Sequence, residues 1–232
     1  MQRRRTRPWG LTVTLATASI VAACEGGAVV DPRTAAVFEM VSGDGQTGEA
    51  GSTVALPLVV RLLDQTGQPI EGQEVVFTAL GSTGATVTPV FALTGPNGTA
   101  ETTLRLGSST GSYDVTAKYR SFPLIPFSAT AVAAPPATLV ISSGNNQTAT
   151  AGAPLPLPIR VRVTDAFGNP NAGVSVSFLV TVGGGSLSAA AADTDVNGFA
   201  SVVWTLGGST GTQEAIAFLA GLTPVTFTAT AQ

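Results

Sequence analysis

The sequence predicts an all-β protein in which two β-sandwiches follow one another along the chain. Apolar and polar side chains alternate over short segments, which is typical of strands with one buried and one solvated face. Turn residues separate these segments at intervals of roughly ten residues, a spacing that favours sandwiches. The composition agrees, because 27 Gly and 15 Pro supply turns, and no segment combines a helical periodicity with end caps.

The N-terminus has the organisation of an export signal. Four arginines within residues 3–7 precede residues 11–23, a stretch that is apolar or small and carries no charge. This stretch is too short to cross a bilayer core, which takes about 20 residues, and it fits the apolar region of a signal peptide. Residues 1–23 are therefore predicted to be a signal peptide.

Residues 21–24, Val-Ala-Ala-Cys, resemble the bacterial lipobox, in which a short apolar run precedes a cysteine that becomes acylated. The resemblance implies that Cys24, the single cysteine, is the lipidated first residue of the mature chain and that residues 24–35 tether it to a membrane. Glu25 stands where an Asp would imply retention in the inner membrane, so the implied location is the outer membrane or the cell surface. The alternative is an ordinary secretory signal in which Cys24 has no role.

After the tether, the chain consists of two copies of one unit. The residues that match between the copies are mainly turn residues and apolar positions: Gly51 with Gly152, Pro57 with Pro158, Asp64 with Asp165, Phe77 with Phe178, Gly98 with Gly198, and Phe127 with Phe227. We expect the first unit over residues 36–133 and the second over residues 137–232. The prolines at 135–136 make the joint between them short and fairly stiff.

Each unit is predicted to be antiparallel β. Residues 159–163, Ile-Arg-Val-Arg-Val, show the alternation of a strand that packs one face on a core. Phe77 and Phe178 occupy corresponding apolar positions, so each is expected in the core of its own unit. A length of roughly one hundred residues suits a seven-stranded sandwich.

The two units carry the same turn and strand motifs. These are Asp-Gln-Thr-Gly-Gln-Pro at 64–69 and Asp-Ala-Phe-Gly-Asn-Pro at 165–170, Asn-Gly at 97–98 and 197–198, and final strands at 127–131 and 227–231. In this order they resemble the bacterial Ig-like repeats of the invasin and intimin type. The resemblance implies two Ig-like Greek-key sandwiches that act as surface spacers or adhesion modules, with a protein or carbohydrate partner at the cell surface.

The composition excludes several classes of function. The chain has no His and one Cys, which excludes His-based catalytic triads and His-ligated metal sites. Its net charge of −3 provides no basic surface for nucleic acid. A serine nucleophile needs a base, and Lys118, the sole lysine, lies at an outward position of a predicted strand. We therefore expect neither an enzyme nor a cofactor.

One segment has the opening of a calcium loop, because Asp193, Asp195 and Asn197 are spaced as in D-x-D-x-N-G. The twelfth position of such a loop supplies a bidentate acid, and Trp204 at that position cannot ligate a metal. The corresponding segment of the first unit lacks both acids. We therefore interpret the segment as a hairpin turn without metal, in which an Asn-Gly pair provides the positive φ.

An outward face of the second unit is predicted as an interaction surface. Ile216 and Phe218 fall between the core positions of their strand, and Thr226 and Thr228 of the next strand are expected on the same face. Large apolar residues beside short hydroxyls form an exposed patch of a kind that often marks contacts. The alternatives are scattered exposed residues without a role or a shifted register that buries both.

A second function from a different class is a carbohydrate- or envelope-binding module in the periplasm. Such modules usually stack several aromatic side chains on sugar rings. Aromatic residues make up 6% of this chain and fall mostly at core positions, which weighs against that alternative.

Overall fold

The computed structural model describes residues 34–81 and 84–232, so the predicted signal peptide and Cys24 lie outside the described residues. The strands of the first sandwich are β1 (Ala35–Ser42), β2 (Gln46–Glu49), β3 (Leu58–Asp64), β4 (Glu74–Ala79), β5 (Thr86–Thr88), β6 (Phe91–Leu93), β7 (Thr99–Arg105), β8 (Gly111–Lys118) and β9 (Ile125–Val132). The strands of the second are β10 (Thr138–Ser143), β11 (Gln147–Ala149), β12 (Ile159–Thr164), β13 (Ser175–Val182), β14 (Gly185–Leu187), β15 (Ala191–Asp193), β16 (Phe199–Val202), β17 (Trp204–Leu206), β18 (Gly211–Phe218) and β19 (Val225–Ala231).

The first sandwich has a four-stranded sheet facing a five-stranded sheet. The strand orders are β1-β3-β7-β5 and β2-β9-β8-β4-β6. Neighbouring strands are antiparallel, except that β2 runs parallel to β9. Consecutive strands such as β3 and β4 lie in different sheets, which is the crossover arrangement of a Greek-key sandwich. The sandwich has more strands than the expected seven because short segments such as β5 and β6, three residues each, also pair.

The second sandwich repeats this topology. Its five-stranded sheet has the order β11-β19-β18-β13-β15, again with the first pair parallel. The facing strands are β10-β12-β16 and the pair β14-β17. Together β16 and β17 take the place of β7, with Val203 as the interruption between them. The predicted fold class, two Ig-like sandwiches in tandem, is therefore confirmed.

Each sandwich has its own hydrophobic core. Phe77 and Phe127 are buried in the first core, and Phe178, Phe227 and Trp204 are buried in the second. Burial alternates residue by residue along β9, because successive side chains of a strand point to opposite faces of the sheet. The alternation in the sequence therefore identifies the core face correctly.

The matching Asn-Gly turns show why the two units share their glycines. Gly98 and Gly198 have φ of +70° and +80°, a backbone conformation that residues with a side chain rarely adopt. A Cβ at either position would collide with the carbonyl oxygen of Leu62 or Val163. Glycine thus lets each turn approach the strand beside it, where the N–H of Leu62 donates to the carbonyl of Gly98 at 2.8 Å.

The two sandwiches belong to one compact unit, Pro32–Gln232. The joint between them runs from the end of β9 at Val132 to the start of β10 at Thr138. Across residues 34–81 and 84–232, no helix is long and apolar enough to span a membrane.

Candidate functional site

The predicted interaction surface lies on the outer face of the five-stranded sheet of the second sandwich. Ile216 of β18 is partly exposed and pairs in register with Thr226 of β19. Phe218 is 37% exposed. Neither side chain is enclosed in its own core, so the geometry that the surface requires is present.

Leu179 belongs to the same surface although the sequence analysis did not include it. It lies on β13 directly opposite Ile216 and is 54% exposed. Directly opposite residues of an antiparallel pair are on the same face. We call Leu179, Ile216 and Phe218 the outer patch. The alternation that places Phe178 in the core also places Leu179 outside, so the sequence contained the information needed to find it.

Thr226 and Thr228 have different roles on this face. Thr226 is exposed beside Ile216. Thr228 is tied to the turn before β11, because its N–H donates to Oδ1 of Asn145 at 2.8 Å and its hydroxyl bonds Oδ1 of Asn146 at 2.5 Å. Thr228 therefore serves the fold at one end of the face, and Thr226 is the residue that borders the outer patch.

The calcium-like segment forms a turn capped by its own aspartate. Oδ1 of Asp195 accepts hydrogen bonds from the N–H groups of Asn197 (2.8 Å) and Phe199 (2.9 Å). These bonds, the one from Phe199 most strongly, hold the pKa of Asp195 below its ordinary value. Asp193 ends β15. Within the described residues, no group of three or more acidic or Cys side chains is arranged to hold a metal.

Aspartates also cap the two turns that contain a Gly-x-Pro segment, at residues 64–69 and 165–170. Oδ1 of Asp64 accepts bonds from the hydroxyl of Thr66 (2.7 Å) and from the N–H groups of Thr66 (2.8 Å) and Gln68 (2.9 Å). These bonds lower the pKa of Asp64, and the Thr66 hydroxyl has the largest effect. Oδ1 of Asp165 accepts bonds from the N–H groups of Phe167 and Asn169, both 2.9 Å long. The two carboxylates are therefore turn caps.

The second of these turns also binds the joint between the sandwiches. We call residues 165–171 the docking turn. Oδ2 of Asp165 accepts a bond from the N–H of Ala134 at 3.0 Å, and Nδ2 of Asn171 donates to the carbonyl of Ala134 at 2.7 Å. Both main-chain groups of one linker residue are thus held by the second sandwich.

The docking turn reaches the first sandwich as well. Nδ2 of Asn169 donates to the carbonyl of Ser108 at 2.8 Å, and the N–H of Thr110 donates to Oδ1 of Asn169 at 3.3 Å. The ring of Phe167 lies against Gly51, where an added Cβ would come within 2.6 Å of the ring. Hydrogen bonds and a ring contact therefore join the two sandwiches directly.

These contacts are specific to the second turn. The positions of Phe167, Asn169 and Asn171 are occupied in the first turn by Thr66, Gln68 and Ile70. Both turns share the capping aspartate, whereas the side chains that contact the first sandwich, Phe167 and Asn169, have no counterpart in the first turn. Sequence analysis identified the turn but not this contact, because its partners lie about 60 residues away in the chain.

The structure is similar to a solved adhesin, the FdeC adhesin of Escherichia coli, with a TM-score of 0.52 and 23% sequence identity. The fold is that of bacterial Ig-like adhesin domains. The match covers 83% of this chain and 63% of the adhesin structure, so this chain spans less than two thirds of that protein. The resemblance to Ig-like repeats that the motifs indicated is therefore confirmed at the level of the fold.

Two further matches are more distant. InvD of Yersinia pseudotuberculosis is 21% identical over 80% of this chain and 55% of that one, with a TM-score of 0.47. Invasin, a bacterial integrin-binding protein, is 23% identical over 85% of this chain and 40% of that one, with a TM-score of 0.41. No protein-family model matches the sequence, and no curated protein matches it.

Proposed function

We propose that this chain is an exported, non-enzymatic envelope lipoprotein whose two Ig-like sandwiches form a stiff surface spacer and present an interaction face. The observation that carries the proposal is the bonded junction. A chain that only linked two independent modules would not need Asn169 bonded to the first sandwich and Asn171 bonded to the linker, since relative motion is the default between domains.

The spacer role rests on how the joint is held. The docking turn bonds both main-chain groups of Ala134, and the prolines at 135 and 136 restrict the backbone just beyond it. Such a joint transmits the direction of one sandwich to the next. A spacer built in this way holds the end of the second sandwich at a fixed distance from the start of the first, which a flexible joint does not do.

The interaction role rests on the outer patch. Leu179 and Phe218 are exposed, and Ile216 lies between them on the same face. Apolar patches on otherwise polar surfaces mark contacts with other proteins. The fold likeness to FdeC, an adhesin, supports adhesion as the purpose of such a contact. The partner is a protein surface or a second copy of this chain.

The anchor is tested through Cys24, which lies outside the described residues. Native protein expressed in a bacterium with labelled palmitate should carry the label and fractionate with membranes. The Cys24→Ser variant should carry no label and be released from membranes, because the thiol of Cys24 is the acylation site that the lipobox pattern implies. A native protein without label overturns the lipoprotein proposal and leaves the spacer proposal standing.

Surface exposure is tested by protease treatment of intact cells. The chain should be cleaved on whole cells at the same rate as a known surface protein, while a periplasmic marker stays intact. Protection of the chain until the outer membrane is permeabilised would overturn the surface location. That result would favour the periplasmic binding module instead.

A further inference from the structure

The first sandwich has a cleft of about 520 Å³ on the outer face of its five-stranded sheet. The cleft lies over β4 and β8 and is closed at one end by the turn after β8. Val76 and Leu124 line it with apolar surface, and Lys118 and Arg120 line it with positive charge. It is separate from the outer patch, which belongs to the second sandwich.

Arg120 has an unusual backbone conformation for its residue type. Its φ is +44°, in the left-handed region that glycine adopts without strain and most other residues avoid. In the matching turn of the second sandwich, Ala220 occupies the position of Arg120, and the left-handed residue is the next one, Gly221, with φ of +84°. A main-chain hydrogen bond closes each turn, from the N–H of Phe122 to the carbonyl of Tyr119 in the first sandwich and from the N–H of Leu222 to the carbonyl of Leu219 in the second. The fold therefore does not require an arginine at this position. Strain held at a non-glycine residue is a pointer to a functional position.

The side chain of Arg120 is oriented by its neighbours. Oε1 of Gln73 accepts one hydrogen bond from the hydroxyl of Tyr119 at 2.9 Å and another from Nη2 of Arg120 at 3.1 Å. The guanidinium lies 5.2 Å from the centroid of the Tyr119 ring, within cation–π range. Tyr119 is buried and therefore a firm support. The guanidinium is held at the cleft and keeps further N–H donors for a ligand.

Among the residues that the structure describes, no ion pair neutralises Lys118 or Arg120. Elsewhere Arg61 pairs with Glu39 and Arg160 pairs with Asp195. Within residues 34–81 and 84–232, neither of the two cleft cations has a carboxylate oxygen within 4.0 Å. Glu74 lines the same cleft two residues before Val76, the residue that pairs with Lys118, so the cleft holds one carboxylate beside its two cations and keeps a net positive charge.

Apolar side chains flank the two cations. Phe91 of β6 lies opposite Val76 in the strand register and Leu93 lies opposite Glu74, so both project from the same face as the cleft. They are 62% and 66% exposed. Leu124 adds an exposed aliphatic side chain at the turn. The surface therefore combines the two cations with exposed apolar residues on both sides, on β6 and in the turn after β8.

The second sandwich shows what this region is like without such a role. Phe218 takes the place of Lys118, Ala220 that of Arg120, and Val174 that of Gln73. At these positions the second sandwich has neither cation and lacks the glutamine whose oxygen orients the guanidinium, yet its fold is the same. The cleft is therefore a specialisation of the first sandwich and not a requirement of the fold.

We infer that the cleft binds an acidic segment of a partner protein, with a carboxylate between Lys118 and Arg120 and a neighbouring apolar side chain on Val76 and Leu124, the apolar residues that line the cleft. Charge complementarity favours a carboxylate, since planar guanidinium groups bind carboxylates through paired hydrogen bonds. The aliphatic lining of the cleft, Val76 and Leu124, favours a peptide over an acidic sugar, because the one aromatic ring that lines the cleft, Tyr119, is buried and offers no stacking surface. The inference goes beyond the proposed function and does not depend on the anchor.

The experiment is an NMR titration of ¹⁵N-labelled chain with the blocked peptide acetyl-Leu-Asp-Leu-amide, up to about 10 mM to cover weak binding. We expect saturable shifts confined to residues 73–78, 116–124 and 91–93. The peptide acetyl-Leu-Asn-Leu-amide should bind about fivefold more weakly or not at all, since an exposed ion pair is worth up to about that factor. Equal shifts with both peptides, or none with either, would overturn the inference. Saturable binding of glucuronate with no peptide binding would overturn it in favour of an acidic saccharide.

Two variants separate binding from folding. Arg120→Gly removes the guanidinium and relieves the backbone strain, so its melting temperature should stay the same or rise while peptide affinity falls about fivefold. Lys118→Gln should show the same loss of affinity without touching a strained residue. Arg105→Gln, which removes an exposed charge from the other sheet, should bind as the native chain does. Native affinity in Lys118→Gln and Arg120→Gly would show that these cations do not form a binding site.

Discussion

The side-chain amide of Asn169 in the second sandwich donates a hydrogen bond of 2.8 Å to the main-chain carbonyl of Ser108 in the first. The same amide also donates to Oδ2 of Asp165 at 2.8 Å, the carboxylate that caps the turn. Asn169 therefore connects the local geometry of its own turn to the neighbouring sandwich. Gln68, at the matching position of the first turn, is one methylene longer.

The first prediction is that Asn169→Ala loosens the junction without unfolding either sandwich. The substitution removes bonds that cross the junction but leaves both cores intact. Nitroxide labels on cysteines introduced at the exposed positions Thr103 and Thr181, in a chain lacking Cys24, should give a narrow distance distribution in the parent. Asn169→Ala should broaden it. Gln68→Ala is the matched control and should leave the distribution narrow.

The second prediction is a loss of junction order in acid. Burial raises the pKa of Asp165, but hydrogen bonds from the side chain and N–H of Asn169 and from the N–H groups of Ala134 and Phe167 outweigh it and lower the pKa below its ordinary value. A depressed pKa means that the carboxylate contributes fully above its unfolded value of about 3.9 and that this contribution is lost as pH falls through the folded pKa.

The same label pair measures this effect. The distance distribution should be narrow near neutral pH and broaden only below the unfolded pKa of Asp165, about 3.9. In Asp165→Asn the distribution should already be broad near neutral pH and change little on acidification. If that variant keeps a narrow distribution that broadens in acid as the parent does, another group controls the junction.

Local patterns in the sequence predicted the fold because they arise from local physics. Alternation along residues 159–163 reflects the geometry of a strand, and the aspartates at 64 and 165 cap turns formed by the next few residues. The exposure of Ile216 and Phe218 followed from the same alternation. In each case the residues that decide the local structure lie within four positions of one another in the chain.

Contacts between residues distant in the chain could not be predicted in this way. Gln46 shows this, because its amide donates to the carbonyl of Leu56 and accepts the N–H of Leu56, and Gln147 does the same with Leu157. The pairing of Arg120 with Gln73 is another example. The position of a polar residue in the sequence does not indicate which distant main-chain or side-chain group it contacts.

The third prediction concerns the independence of the two cores. Phe178→Ala removes a buried ring from the second core, and such changes cost about 3–5 kcal/mol, a large share of the stability of one domain. Calorimetry should show the second sandwich unfolding at a lower temperature while the first retains nearly its native transition. Phe77→Ala should produce the converse result. One shared transition that shifts equally in both variants would show a single cooperative unit.

The last prediction concerns the outer patch. The double substitution Ile216→Thr with Phe218→Lys installs the residues found at the matching positions of the first sandwich, Thr116 and Lys118. The fold already accommodates these side chains on an outward strand face, so the melting temperature should not change. Leu179, opposite Ile216, is unchanged in this variant, so part of the apolar surface of the outer patch remains.

Loss of the two side chains should weaken association through this face by more than tenfold. A large apolar side chain that passes from fully exposed to fully buried contributes about 1.5–3 kcal/mol. Ile216 and Phe218 are only partly exposed, so the two together contribute about one such amount, and each 1.4 kcal/mol corresponds to about a factor of ten in Kd. Sedimentation velocity over a concentration series measures self-association, and pull-down by immobilised native chain measures binding to a second copy. Thr226→Ser, beside Ile216 on β19, is the matched control that keeps the patch. If the double variant associates as strongly as native protein, the patch is solvent-exposed surface without a contact; the interaction role is then wrong, and the spacer role, which rests on the junction, still stands.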